Sequence, residues 1–457
     1  MTTKKLQSIA ALVLSILISS ALAQAQSGST RPRRVNQRQP ASQKSNTNKS
    51  VDEPLLDVQP VGGNTANNNS GRRSSSRSNN NDAADTSPLL TPSSSTSTSS
   101  SSVSTASVPS SSSVSSPSDT TRAYALLQQK QYAEAARLAK TISTANPNDS
   151  EAWKIAGFAE MNMKQYAEAA SDLQKAMDLQ RVAGQEDPNT ADALAEAYVF
   201  TEKFDQALPL LVAATTRKGA ASPDASLLYY RGLAELRTGK AAEAERSFNA
   251  AVKANPKDAA SLYFLGQIAF SRNDLDGTIA MLNRATIADQ RVAAAWSLLT
   301  TAYLRRAAAN SASDTTKADA DYLSAVRAGE GLTRINSSAD SAMLFGQALI
   351  GAKQYARAAT VLERATAGPD AKGSALYLLG ISYSRAKNFP KAIAALERAA
   401  SKTPDDVNIY RELGYAYEVS KLYAKALAAY EKGSALAPAD TDFQESIARV
   451  RPVAQKQ

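Results

Sequence analysis

A five-residue pattern recurs nine times along this chain and constrains its fold more than any other feature. It reads YAEAA from Tyr132 and from Tyr166, FDQAL from Phe204, AAEAE from Ala241 and LDGTI from Leu275. It continues as YLSAV from Tyr322, YARAA from Tyr355, FPKAI from Phe389 and YAKAL from Tyr423. Successive starts lie 34, 38, 37, 34, 47, 33, 34 and 34 residues apart. Nine residues before each start stands a small residue, such as Gly157, Gly232, Gly266, Gly346, Gly380 or Gly414. Three residues into most of them stands an alanine, and four residues later a large side chain such as Leu173, Leu211, Phe248, Leu282, Leu362 or Leu396.

The spacing reads as two amphipathic helices per unit. A small residue on each helix lets the two backbones approach, and the large residues fill the grooves beside them. Pro147, Pro256, Pro404 and Pro438 stand where second helices should stop. One such hairpin cannot bury its apolar face alone, so each needs the next.

Over residues 119–440 the chain resembles the tetratricopeptide-repeat family, whose mark is this 34-residue period. The resemblance implies an all-α fold, a right-handed α-solenoid (superhelix) of about nine helical hairpins. Asp440 to Val453 reads as a capping helix, and 441–457 as that helix with its tail. Residues 181–189 and 217–223 lengthen two junctions. The sixth unit carries about 13 extra residues near 307–320, and Gly329 stands where its second helix should carry a large side chain. A longer helix or a bulging loop is expected there, with a hinge between repeats one to five and seven to nine as a further expectation.

The first 118 residues differ in kind. Lys4 and Lys5, an apolar core from about Ile9 to Ile18, and small residues at Ala21, Ala23 and Ala25 make the three-part pattern of a signal peptide over 1–25. The alternative is an uncleaved membrane anchor, for which the core is short. Residues 26–118 are rich in Ser and Asn and cannot bury enough apolar surface to order themselves, so a disordered tether is expected. Within it, Val51 to Val58 (VDEPLLDV) mixes acids with Leu55 and Leu56. It reads as an ordinary fluctuation of composition or as a short docking motif.

Composition removes several classes of chemistry. The chain holds 52 Lys and Arg against 43 Asp and Glu. Of these, 11 basic and 5 acidic residues lie before Asp119, so the repeat region is nearly balanced and has no nucleic-acid footprint. There is no cysteine and no histidine. Thiol catalysis, a Ser-His-Asp triad and the usual zinc sites are thereby excluded. No phosphate-binding loop, dinucleotide fingerprint or calcium loop is present, so no cofactor, no metal and no enzymatic activity is expected.

The resemblance implies a protein or peptide partner held along the concave face lined by first helices. The family's groove positions fall twelve and eight residues before each signature. Here they give Lys154, Phe158, Tyr229, Leu233, Tyr263, Gln267, Tyr377, Ile381, Arg411 and Tyr415 as candidate partner contacts. The tyrosines suit recognition, but equally suit packing between helices. The family's carboxylate clamp pairs a Lys with an Asn; Lys154 is followed by Phe158, so no clamp is expected. The expected role is an exported scaffold in the periplasm or cell envelope, membrane-anchored if the leader is kept. The alternative is an assembly or tethering part of a secretion, pilus or polysaccharide-export machine, in an envelope or membrane-associated complex. An enzyme subunit is the remaining reading.

Overall fold

In a computed structural model, residues 117–217 and 224–456 are described. The expected signal peptide, residues 26–116 of the expected tether and the Val51–Val58 island lie outside them. The described residues form nineteen α-helices and no strand. They divide into two units at Ala197/Tyr198. The first contains α1 (Pro117–Gln128), α2 (Tyr132–Ala145), α3 (Ser150–Asn162) and α4 (Tyr166–Val182). Helix α5 (Pro188–Phe200) spans the division. The second unit continues with α6 (Phe204–Thr216), α7 (Ala225–Arg237), α8 (Ala241–Ala254), α9 (Ala259–Ser271) and α10 (Leu275–Ala288). After them come α11 (Ala293–Asn310), α12 (Thr315–Ile335), α13 (Ala339–Gly351), α14 (Tyr355–Ala365) and α15 (Gly373–Arg385). It closes with α16 (Phe389–Lys402), α17 (Val407–Val419), α18 (Tyr423–Leu436) and α19 (Thr441–Ala454).

Within each unit every helix packs on the next, odd-numbered first helices against even-numbered second helices. Eight of the nine signatures open directly after a tight turn with one backbone solution. The residue two before the signature takes a left-handed conformation: Lys130, Lys164, Glu202, Asn273, Lys353, Lys387 and Lys421 at φ of 59 to 62°, and Gly239 at 81°. The next amide then donates back to a carbonyl five residues earlier, as Asn388 does to Tyr383 at 2.8 Å and Gln165 to Glu160 at 2.9 Å. This satisfies carbonyls that the end of the first helix would otherwise leave open. At the other junction, an acid or serine caps the incoming first helix. Asp149 accepts from the amide of Ala152, Asp258 from Ala260 and Ser261, Ser338 from Ser341, and Asp406 from Asn408.

The small-against-large rule holds at atomic distance. A Cβ on Gly380 would lie 2.5 Å from Cγ of Leu396 on the paired helix, so only glycine permits this approach. Polar ties repeat as well. A second-helix residue bonds to the residue twenty places on, in the next first helix: Asn283 Nδ2 donates to the Tyr303 hydroxyl at 3.1 Å, and the Tyr383 and Tyr417 hydroxyls donate to Glu363 and Glu397. Glu431 meets Arg451 at the same spacing.

The extra residues of the sixth unit lengthen both helices instead of forming a loop: α11 has 18 residues and α12 has 21. Gly329 lacks a large side chain because Phe345 of α13 occupies that space; a Cβ on Gly329 would lie 2.9 Å from the ring. No break in the core marks the expected hinge on the C-terminal side of this unit. Leu304, Val326 and Phe345 belong to one buried apolar cluster that continues to Val450. The final helix caps the array as its sequence implies, burying Phe443, Ile447 and Val450 against its neighbours.

A candidate protein-binding wall on the first helices

First helices of adjacent hairpins touch one another: α1 with α3, α9 with α11, α11 with α13, α13 with α15, and α15 with α17. A continuous face of first-helix side chains follows within each unit, and it carries the sequence-selected positions.

Those positions prove unequal in depth. Tyr229, Leu233, Tyr263, Tyr377 and Ile381 are buried, Tyr377 to 1 % exposure. Tyr229 lies in an aromatic cluster, 5.3 Å from the ring of Tyr230, 6.1 Å from Phe264 and 6.2 Å from Phe248. Phe248 and Phe264 stack at 5.2 Å, and Tyr263 sits edge-on to Phe264. Burial pushes the Tyr229 and Tyr377 hydroxyls well above the ordinary phenol range, so both remain neutral donors. The Tyr377 hydroxyl has no hydrogen-bond partner among the described residues. These tyrosines take the packing role that the sequence left open beside recognition.

The charged members are engaged. Lys154 is clasped by Glu151 at 2.6 Å and Asp187 at 3.2 Å. Arg411 pairs with Asp440 and with Asp442 at 3.3 Å, and covers the ring of Phe443. Gln267 is exposed, Phe158 and Tyr415 half-buried. Tyr415 lies edge-on to Phe389, with the Arg385 guanidinium 5.8 Å from its ring.

One wall residue escaped the sequence reading. Arg305 of α11 lies half-buried with its guanidinium 4.3 Å from the ring centre of Phe270 on α9. Burial lowers its pKa, and no carboxylate among the described residues offsets that. Its neighbour Arg306 instead binds Asp321 through two nitrogens, at 3.0 and 2.6 Å, and Asp276 at 2.5 Å. Arg231 and Arg385 likewise have Glu235 and Glu412. Gln267, Phe270, Thr301 and Arg305 thus form an accessible strip across α9 and α11, with the Phe270 ring and the Arg305 guanidinium stacked at one end and the polar Gln267 and Thr301 beside them. Arg305 stands one helical turn beyond Thr301, which with Ser297 makes up the groove positions of the sixth unit, so a count that stops at those positions misses it.

A model described as "Tetratricopeptide repeat" matches residues 120–186, 193–249, 229–293 and 377–441, together just over half of the chain. A model described as "Anaphase-promoting complex, cyclosome, subunit 3" matches residues 318–399. No curated protein matches at a significant level. Among solved structures, the chain is similar to YrrB, described as a TPR protein with an unusual peptide-binding site. Identity is 18 %, with 44 % of this chain and 98 % of that one covered, at a TM-score of 0.38. It is also similar to MamA of Desulfovibrio magneticus RS-1, 20 % identical over 39 % of this chain and 94 % of that one, with a TM-score of 0.34. A tetratricopeptide repeat protein of Parabacteroides merdae is 14 % identical over 58 % of this chain and 98 % of that one, with a TM-score of 0.36.

Proposed function

The chain belongs to the tetratricopeptide-repeat family, and we propose that it is an exported envelope scaffold whose first-helix wall holds an acidic segment of a partner protein. Members of this family are typically non-catalytic scaffolds for protein–protein interaction, and their partners are proteins or peptides. The observation that carries the finer reading is Arg305. A half-buried guanidinium with a ring beneath it and no carboxylate beside it has already lost much of its hydration. An incoming carboxylate therefore gains a charge-assisted bond at small further desolvation cost. Gln267 and Thr301 add neutral hydrogen-bonding groups, and Phe270 adds apolar area.

The leader and the Ser-rich segment place this wall outside the cytoplasm on a tether in the same reading. The leader is cleaved after Ala23 or Ala25, and the mass of the mature chain tests this. A mature protein retaining Met1 to Ala23 contradicts it.

Capture from a native envelope fraction tests the wall. The expected result is a partner recovered by the wild-type chain and lost with Arg305→Glu, while helicity stays unchanged. Equal recovery by the variant would remove the wall as the site. Alanine at Tyr229, Tyr263 or Tyr377 is a poor probe, since each of these rings supports the packing.

A further inference from the structure

The irregular sixth hairpin creates a second surface. Because Gly329 has no side chain, Phe345 leans over α12. A cleft of about 320 Å³ opens between α12, α13 and α14. Its floor is Phe345, Ala342 and Val361; its rim carries Glu330, Arg334 and Arg364. The volume is at the low end for ligand clefts and suits a pair of aliphatic side chains. Arg334 and Arg364 are exposed. Neither meets a carboxylate among the described residues, although nearby Lys353, Lys372 and Lys391 are paired with Asp319, Asp340 and Glu363. Both arginines stand in the last turn of their helices, where the helix dipole favours a cation.

We propose that this cleft is the docking site of the chain's own Val51–Val58 segment, with Leu55 and Leu56 on the apolar floor and Asp52, Glu53 and Asp57 facing Arg334 and Arg364. Segment and cleft are complementary in charge and in apolar surface. Three of the five acids before Asp119 fall within these eight residues, and the only adjacent leucines in that island lie between them. Pro54 restricts Glu53 to an extended backbone, which suits a groove-bound strand of peptide. The inference rests on the tether reading above. About 60 residues then separate Val58 from α1, with a typical reach of roughly 40–45 Å. In this reading a free Val51–Val58 segment reports an available tail and a bound one an engaged chain.

Two arms test the proposal. In the first, a dye-labelled Val51–Val58 peptide is titrated onto the full chain from which those residues have been deleted. The expected result is saturable binding at millimolar affinity or better, weakened at least tenfold by Arg334→Glu with Arg364→Glu at unchanged helicity. No saturation, or binding indifferent to those substitutions, overturns it. In the second, Leu55→Cys is combined with Ala342→Cys in this cysteine-free chain. The expected result is an intramolecular disulfide whose rate is independent of protein concentration and faster than for a control cysteine at Val103. A disulfide that forms only between chains, with peptide binding intact, overturns the tether reading and own-chain occupancy while leaving the cleft a peptide site. A disulfide no faster than the control overturns docking in the intact chain.

Discussion

The hairpins α3–α4 and α7–α8 have one backbone design and two chemistries. Six residues before and six after the signature, side chains face each other across the paired helices. In α7–α8 these are Glu235 and Ser247, and the Ser247 hydroxyl donates to Glu235 at 2.6 Å. Arg231 adds a charge-assisted bond at 2.8 Å. In α3–α4 they are Glu160 and Asp172, two buried carboxyls. Lys140 of α2 reaches Glu160 closely and Asp172 at 3.7 Å, yet one oxygen of each carboxyl lacks a hydrogen-bond partner. Burial, with the charge of Asp172 and against the pull of Lys140, raises the Glu160 carboxyl to about 7; burial raises Asp172 as well. A repeat position that is structurally equivalent can therefore be a satisfied tie in one hairpin and a proton-sensitive site in another.

The largest expected effect comes from imposing the second chemistry on the first. Ser247→Asp places a like charge against Glu235 and deletes its hydrogen bond. It should destabilise α7–α8 by about 2–4 kcal/mol at pH 8, less at pH 5, as read by urea melts followed by circular dichroism. Equal loss at both pH values would show that volume, not charge, is responsible.

The reverse change, Asp172→Ser, should stabilise α3–α4 by about 1–2 kcal/mol at pH 8. In the wild type, Glu160 is neutral in both states below about pH 4.5. Between 4.5 and about 7 the unfolded chain releases a proton that the folded chain keeps. The stability contributed by a neutral Glu160 is thus full below 4.5, falls as pH rises, and is gone above about 7. Asp172→Ser should flatten that dependence, measurable as hydrogen exchange of α3 and α4 at pH 5, 6, 7 and 8. A slope that survives would locate the titrating group elsewhere.

A smaller effect separates the two turns. Lys164 adopts the left-handed backbone that Gly239 supplies at no steric cost. Lys164→Gly should raise stability by about 0.5–1 kcal/mol and Gly239→Lys should lower it by the same amount, both independent of pH. Opposite signs would mean that the lysine side chain makes a compensating contact.

Much of this was legible in the sequence. The alternation of Gly380 with Leu396, or Gly232 with Phe248, follows from period and residue size, because two helices can approach only where one lacks a side chain. The Glu160–Asp172 pair was also encoded, symmetric about the signature at Tyr166, but reading it needs the hairpin register and the burial that raises both carboxyls. Depth along the wall was not legible. Tyr229 and Gln267 fall in the same groove sets, and only the neighbouring Phe248 and Phe264 decide that one is enclosed while the other is open. Arg305 lies one turn beyond the groove position at Thr301, and spacing alone does not reveal that Phe270 of the neighbouring first helix supports it. The cleft at Arg334 and Arg364 arises from Phe345 filling the space over Gly329, a choice between helices that residue spacing cannot express.

The central functional claim concerns which face of the hairpins meets the partner. Hydrogen exchange read by mass spectrometry, on the chain alone and saturated with the protein recovered by capture, tests it directly. The expected result is slowed exchange in α9 and α11, around Gln267, Phe270 and Arg305. Slowing confined to the second helices α10 and α12, with α9 and α11 unchanged, would contradict it.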